Sequence, residues 1–183
     1  MDLKQYYEQA ITAKEYISKM ETHQDNLQHV YDNFEIENKS DLDELKDKNL
    51  RILVITEDWC GDAMVNMPIL LHIAKEIDAE VKVVYRDKNL ELMDQYLTNG
   101  GRSIPIFIFM NENYEEVGVW GPRAAALQKL VDDKRALLPD KDTAEFKAAQ
   151  KEYIDDLTEQ YRTNPTLWNE IYESIRATLI EAK

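Results

Sequence analysis

The sequence predicts an α/β fold, and three observations carry that prediction. An apolar, β-branched run, Ile52-Leu53-Val54-Ile55-Thr56, passes through the turn Glu57-Asp58-Trp59-Cys60-Gly61 into a helical pattern over residues 63–76, and a second apolar run follows over 80–85. Strand, helix and strand in that order make a βαβ unit, whose strands pair in parallel through a right-handed crossover. A third run, over 106–110, turns at Asn111-Glu112-Asn113 and returns over 114–120 as an antiparallel edge strand. At both ends of the chain, apolar residues recur at helical spacing.

A length of 183 residues sets a prior of one or at most two domains, and the chain is read as one. Hydrophobic residues make up 44% of it, enough for a real core. Thirty-six acidic residues against 22 basic ones leave a net charge of −14, which repels polyanions and anionic membrane surfaces. Neither nucleic acid nor membrane is therefore an expected partner. No apolar run approaches the ~20 residues that span a bilayer, and the acidic, amphipathic N-terminus is unlike a signal peptide. The single cysteine excludes an internal disulfide framework, and the expected location is the reducing cytoplasm.

Ahead of the first strand, residues 1–48 read as an N-terminal helical extension. Leu3, Tyr6, Ala10, Ile17 and Met20 predict one helix over about 3–20, and Leu27, Val30, Tyr31 and Phe34 predict a second. Ser40 with Asp43 three residues later resembles a capping box, opening a short helix through Leu45. After the βαβ unit a short helix is expected over 89–97, broken by Asn99-Gly100-Gly101, and another from Gly121-Pro122 to about residue 137. Residues 139–183 form a C-terminal helical extension. Phe146, Ala149, Tyr153, Leu157 and Tyr161 mark the apolar face of its first helix. Asn164 as cap and Pro165 at the first helical position open the second, with Leu167, Trp168, Ile171, Ile175 and Leu179 inward. Both are expected to pack on the core, because Trp168 and the tyrosines would otherwise be exposed.

Cys60 stands at the strand-to-helix turn. Unpaired N–H groups and the helix dipole at such a position favour a thiolate, whereas the neighbouring acids Glu57, Asp58 and Asp62 oppose it. The expected result is a modestly reactive thiol. A lone cysteine is more often a small buried hydrophobe, and that reading stands beside the reactive one. Met64, Met67, Ile69, Leu70, Ile73 and Ile77 read as core. The scattered His23, His29 and His72 show no metal-ligand spacing, so no metal site is expected.

Trp59-Cys60-Gly61-Asp62-Ala63, Pro68 eight residues after Cys60, Gly101-Arg102-Ser103-Ile104-Pro105 before an apolar strand, and Glu116-Val117-Gly118 together resemble the thioredoxin family. The resemblance covers about residues 49–138. It implies a mixed four- or five-stranded sheet flanked by helices, here with extra terminal helices. It also implies an exposed nucleophilic sulfur on Cys60 and a cis Pro105 beside it. Ile104 would pair with a bound partner's backbone, and Trp59 would be a platform, so that Trp59, Gly61, Asp62, Ile104 and Pro105 form the substrate-binding set around Cys60. Two departures matter. Ala63 stands where the family has its resolving cysteine, and Val54 stands where many members bury an acid.

A thiolate attacks a disulfide to form a mixed disulfide, which a second cysteine ordinarily resolves. Ala63 cannot, so release requires an external thiol. The sequence therefore implies monothiol–disulfide exchange or thiol redox sensing with protein thiol or disulfide partners. No bound cofactor is implied; a low-molecular-weight thiol is the co-substrate such exchange would use. The alternative is a catalytically silent, thioredoxin-fold protein-binding module.

Overall fold

The computed structural model describes residues 2–182, leaving Met1 and Lys183, the end residues of the two predicted extensions, outside the described residues. Apolar β-branched runs form the centre. β1 (Ile11–Thr12), β2 (Arg51–Thr56), β3 (Glu80–Tyr85), β4 (Ile106–Met110) and β5 (Glu116–Trp120) make one sheet in the order β1-β3-β2-β4-β5. β2 runs parallel to β3 and antiparallel to β4, with Val54 opposite both Val83 and Phe107. β1 pairs antiparallel with β3, and β4 with β5. The sheet is thus mixed and five-stranded. β2 and β4 are buried almost throughout, as strands covered on both faces must be, whereas β5, at the edge, is fully buried only at Trp120.

The N-terminal segment departs from the expected single helix over 3–20. It divides into α1 (Leu3–Gln9), β1 and α2 (Ala13–Lys19). The cause is local. The Thr12 hydroxyl accepts from the Glu15 N–H at 3.1 Å and the Glu15 carboxylate accepts from the Thr12 N–H at 3.2 Å, a capping box that restarts the helix. α3 (Gln24–Asn33) follows. The capping box expected at Ser40 does not form: its hydroxyl donates to Asn38 Oδ1 at 2.7 Å inside a 3₁₀ turn, Lys39–Leu42, and α4 (Asp43–Lys46) begins at Asp43.

α5 (Gly61–Glu76) is the central helix, with Pro68 inside it and ten buried residues. The helix expected over 89–97 shortens to α6 (Leu90–Met93), because Thr98 and Gly101 exchange both backbone hydrogen bonds across an Asn99-Gly100 turn with positive φ at both residues. α7 (Ala125–Arg135), α8 (Phe146–Thr163) and α9 (Pro165–Glu181) complete the chain. Asn164 Oδ1 accepts from the Leu167 N–H at 3.2 Å, so α9 opens with the cap and proline that its sequence predicts. Both α8 and α9 contact α5. Among the described residues no helix is long and apolar enough to cross a membrane.

Candidate functional site

The site lies where β2 ends and α5 begins. Cys60 is the N-cap of α5, in extended backbone geometry, and its sulfur accepts from the Ala63 N–H at 3.4 Å. On its other side the thiol donates to the Ile104 carbonyl, also at 3.4 Å. Ile104–Pro105 is a cis peptide bond, so the structure brings Cys60 and the Ile104-Pro105 loop together. A second loop braces the first. Gly121 has φ +127°, and a Cβ there would lie 2.2 Å from the Pro105 carbonyl oxygen, so only glycine fits.

The sulfur is not exposed as the family resemblance implied. Cys60 is 8% accessible, and burial, followed by the charge of Asp62, pushes its thiol up to about 11. The N–H groups of Ala63 and Asp62 and the Arg123 guanidinium pull the other way but do not prevail. The expectation of a modestly reactive thiol therefore needs correcting for this closed arrangement. The helix start supplies the stabilisation the sequence indicates, and desolvation outweighs it.

The three acids near Cys60 are all engaged. Glu57 is buried and accepts from the Asp87 N–H at 2.9 Å. Asp58 accepts from the Glu21 and Thr22 N–H groups at 2.8 and 3.3 Å, tying the N-terminal segment to the motif. Asp62 binds the Arg123 guanidinium at 2.7 Å through one oxygen and accepts from the Tyr161 hydroxyl at 2.8 Å through the other. The side chains of Asp62 and Arg123 are only 12% and 20% exposed, so this pair is shielded from water and geometrically committed. Trp59, by contrast, is half exposed, with the Arg86 guanidinium 4.9 Å from its ring centre. Gly61 lies under α8: a Cβ there would sit 3.9 Å from the Tyr161 ring.

Four residues that sequence reasoning did not assign to the site converge on it. Tyr16, fully buried on α2, lies close enough for the Cys60 and Asp58 charges to act on its hydroxyl, whose pKa burial drives upward. His23, held at φ +63°, joins Trp59, Asp62, Arg123, Ile154 and Leu157 around an open cleft of about 250 Å³, and burial lowers its pKa. Arg123 and Tyr161 hold Asp62. None carries a local signature. Tyr161 reads as one residue of a helix face, and Tyr16 and Arg123 stand in no motif. His72 is structural: its Nε2 lies 2.8 Å from the Tyr31 carbonyl and its ring packs, tilted, against Tyr31. Val54 is buried in the middle of the sheet. Among the described residues no cluster of three or more His, Cys, Asp or Glu side chains is placed to hold a metal ion.

A family model described as thioredoxin matches residues 10–136, beginning at β1 and not at residue 49, so the segment from β1 to α4 falls within the family's span. No curated protein matches the chain. Two solved structures share its fold. One is an HIV epitope-scaffold protein, 15% identical, with all of both chains covered and a TM-score of 0.70. The other is a protein of unknown function from Pseudomonas aeruginosa, 14% identical, with 97% of this chain and 98% of that one covered and a TM-score of 0.64.

Proposed function

The chain belongs to the thioredoxin-like family, and from that premise we propose that it performs monothiol–disulfide exchange through Cys60, with the thiol held protonated at rest. The observation that carries this reading is the 3.4 Å contact between Cys60 Sγ and the Ile104 carbonyl. It sets the only sulfur nucleophile against the loop that would hold a partner's backbone, with the half-exposed Trp59 beside it.

Cys60 loses its proton to solvent, and the thiolate attacks one sulfur of a partner disulfide. An S–S bond forms to Cys60, and the partner's second sulfur leaves as a thiolate. Ala63 offers no second thiol. A low-molecular-weight thiolate therefore attacks the Cys60 sulfur, releasing the partner's remaining thiolate. A second equivalent then attacks the small thiol's sulfur, regenerating Cys60 and leaving the small thiol as its own disulfide. A reducing cytoplasm supplies such thiols. Asp62, Trp59, Gly61, Ile104 and Pro105 are binding and positioning groups in this scheme, and Cys60 alone is catalytic.

A second reading, a silent binding module, is favoured by one observation: the sulfur is buried and its pKa is pushed up to about 11. The deciding experiment is incubation of the folded protein with a small aromatic disulfide, followed by mass analysis. Exchange predicts a mixed disulfide on Cys60 that is absent from Cys60→Ser. No adduct on the folded protein, at saturating disulfide up to pH 9, would leave the binding module standing. A turnover assay separates monothiol from dithiol chemistry: wild type should fail with a dithiol-reductase system alone, and Ala63→Cys should gain weak turnover.

A further inference from the structure

α8 covers the start of α5 without being deeply packed. Of its eighteen residues only Tyr161 is fully buried. Ile154 is half exposed, and Phe146, Tyr153 and Leu157 are partly so. The linker ahead of it is largely exposed, with Leu137 standing almost clear of the protein. Besides its packing against α3, α5 and α7, specific contacts hold the helix. The Tyr161 hydroxyl donates to Asp62 at 2.8 Å, its ring lies over Gly61, and Lys134 of α7 pairs with Asp156. At the same end as Tyr161 the chain turns into α9: Asn164 and Pro165 restart it and give α8 a hinge, and Trp168, buried in α9, donates its indole N–H to the Tyr161 carbonyl at 2.7 Å, a further attachment.

We infer that α8 is a detachable cover over the Trp59–Asp62 face, latched by the Tyr161 hydroxyl on Asp62, and that its docked state keeps partners away from Cys60. This rests on the exchange reading above for its purpose, though not for its geometry. A partner chain that runs from Trp59 over Gly61 and Asp62 would meet Ile154, Leu157 and Tyr161, which wall the cleft there. Undocking removes that wall and lets water reach the Gly61–Asp62 backbone. Two effects on the sulfur follow. Its burial falls, and the Asp62 charge becomes screened by solvent. Both move Cys60 toward the thiolate, since burial and Asp62 are what hold the proton on it. The shallow packing places α8 at the low-stability end of the molecule, where local opening occurs without global unfolding.

The test uses the full chain with two variants. Tyr161→Phe removes the latching hydroxyl, and Leu157→Ala loosens α8 without touching Asp62. Hydrogen exchange of the α8 and α9 amides and native alkylation of Cys60 by iodoacetamide are measured together. Expected is at least a tenfold rise in α8 exchange in both variants, no change in α9, and a parallel rise in alkylation rate. Faster α8 exchange with unchanged alkylation would overturn the cover. So would α8 exchange that stays at the wild-type rate in both variants, or that moves only together with α9. Mixed-disulfide formation with the small aromatic disulfide distinguishes the two readings. Faster alkylation without an adduct removes the exchange reading and leaves the cover. An adduct formed at one rate in all three proteins removes the cover and leaves exchange.

Discussion

α8 and α9 look alike in sequence and differ in the fold. They have 18 and 17 residues, each with an aromatic and aliphatic stripe at helical spacing. α9 buries Leu167, Trp168, Ile171, Tyr172, Ile175 and Leu179 against α5, α7 and β5, whereas α8 buries Tyr161 alone. The comparison teaches that apolar spacing says which face turns inward, while the depth of burial depends on the surface that receives it. α9 meets the flank of the central helix and the edge strand. α8 meets α3, α7 and the start of α5 without burying its aliphatic stripe, and its one fully buried residue is a tyrosine that satisfies the Asp62 carboxylate.

The most direct way to break this contrast is truncation in each helix. Ile175→Ala in α9 removes a fully buried side chain and should cost about 2–5 kcal/mol in urea unfolding. Ile154→Ala in α8 should cost less than about 0.5 kcal/mol. Equal losses would mean that α8 is as firmly seated as α9.

Next in size is a pH effect at the thiol under the shallow helix. The Cys60 pKa is raised to about 11 in the folded protein, above the ~8.5 of an unfolded thiol. The folded state therefore keeps the proton longer. Its contribution to stability is full below pH ~8.5 and is lost as pH climbs toward 11. Relative to Cys60→Ala, wild type should lose up to about 3 kcal/mol across that window. Leu157→Ala should flatten this slope if α8 maintains the burial. An identical slope in that variant would assign the burial to α2 and the Ile104 loop.

A smaller effect is expected from Asp62→Asn. It removes the carboxylate that accepts from Tyr161 and pairs with Arg123, and should weaken α8 docking by about 1–2 kcal/mol, read from α8 amide exchange. It should also lower the pH midpoint of Cys60 alkylation, because a negative charge beside the sulfur is gone. A midpoint that stays put would assign the raised pKa to burial alone. The smallest effect belongs to Lys151→Ala. Its pair with Asp155 lies on the exposed face of α8, and no change in the unfolding midpoint is expected.

Much of the fold was legible because it rests on local periodicity. The runs at Ile52, Val81 and Ile106 became β2, β3 and β4, and Asn164-Pro165 capped α9 as its residues indicate. Where reading failed, a short local signal had been outweighed. Thr12-Ala13-Lys14-Glu15 is itself a capping-box pattern, and it interrupts the longer apolar stripe over 3–20 that suggests one helix. Ser40-Asp41-Leu42-Asp43 carries a similar pattern, but Asn38 takes the serine hydroxyl. Of the candidate site, Cys60, Ile104 and Pro105 could be placed near one another from motif order.

By itself, then, the sequence determined the strand–helix–strand centre, the helix-start cysteine and the absence of a resolving thiol at Ala63, since each depends on residues a few positions apart. Only the tertiary structure decided the state of that cysteine. Tyr161 reaches Asp62 across 99 positions, Arg123 arrives from beyond β5, and Tyr16 closes in from the N-terminal segment. A thiol's acidity is set by the water it has lost and the charges within a few ångströms of it. Those are properties of surfaces brought together by folding, and no spacing along a chain encodes how completely they meet.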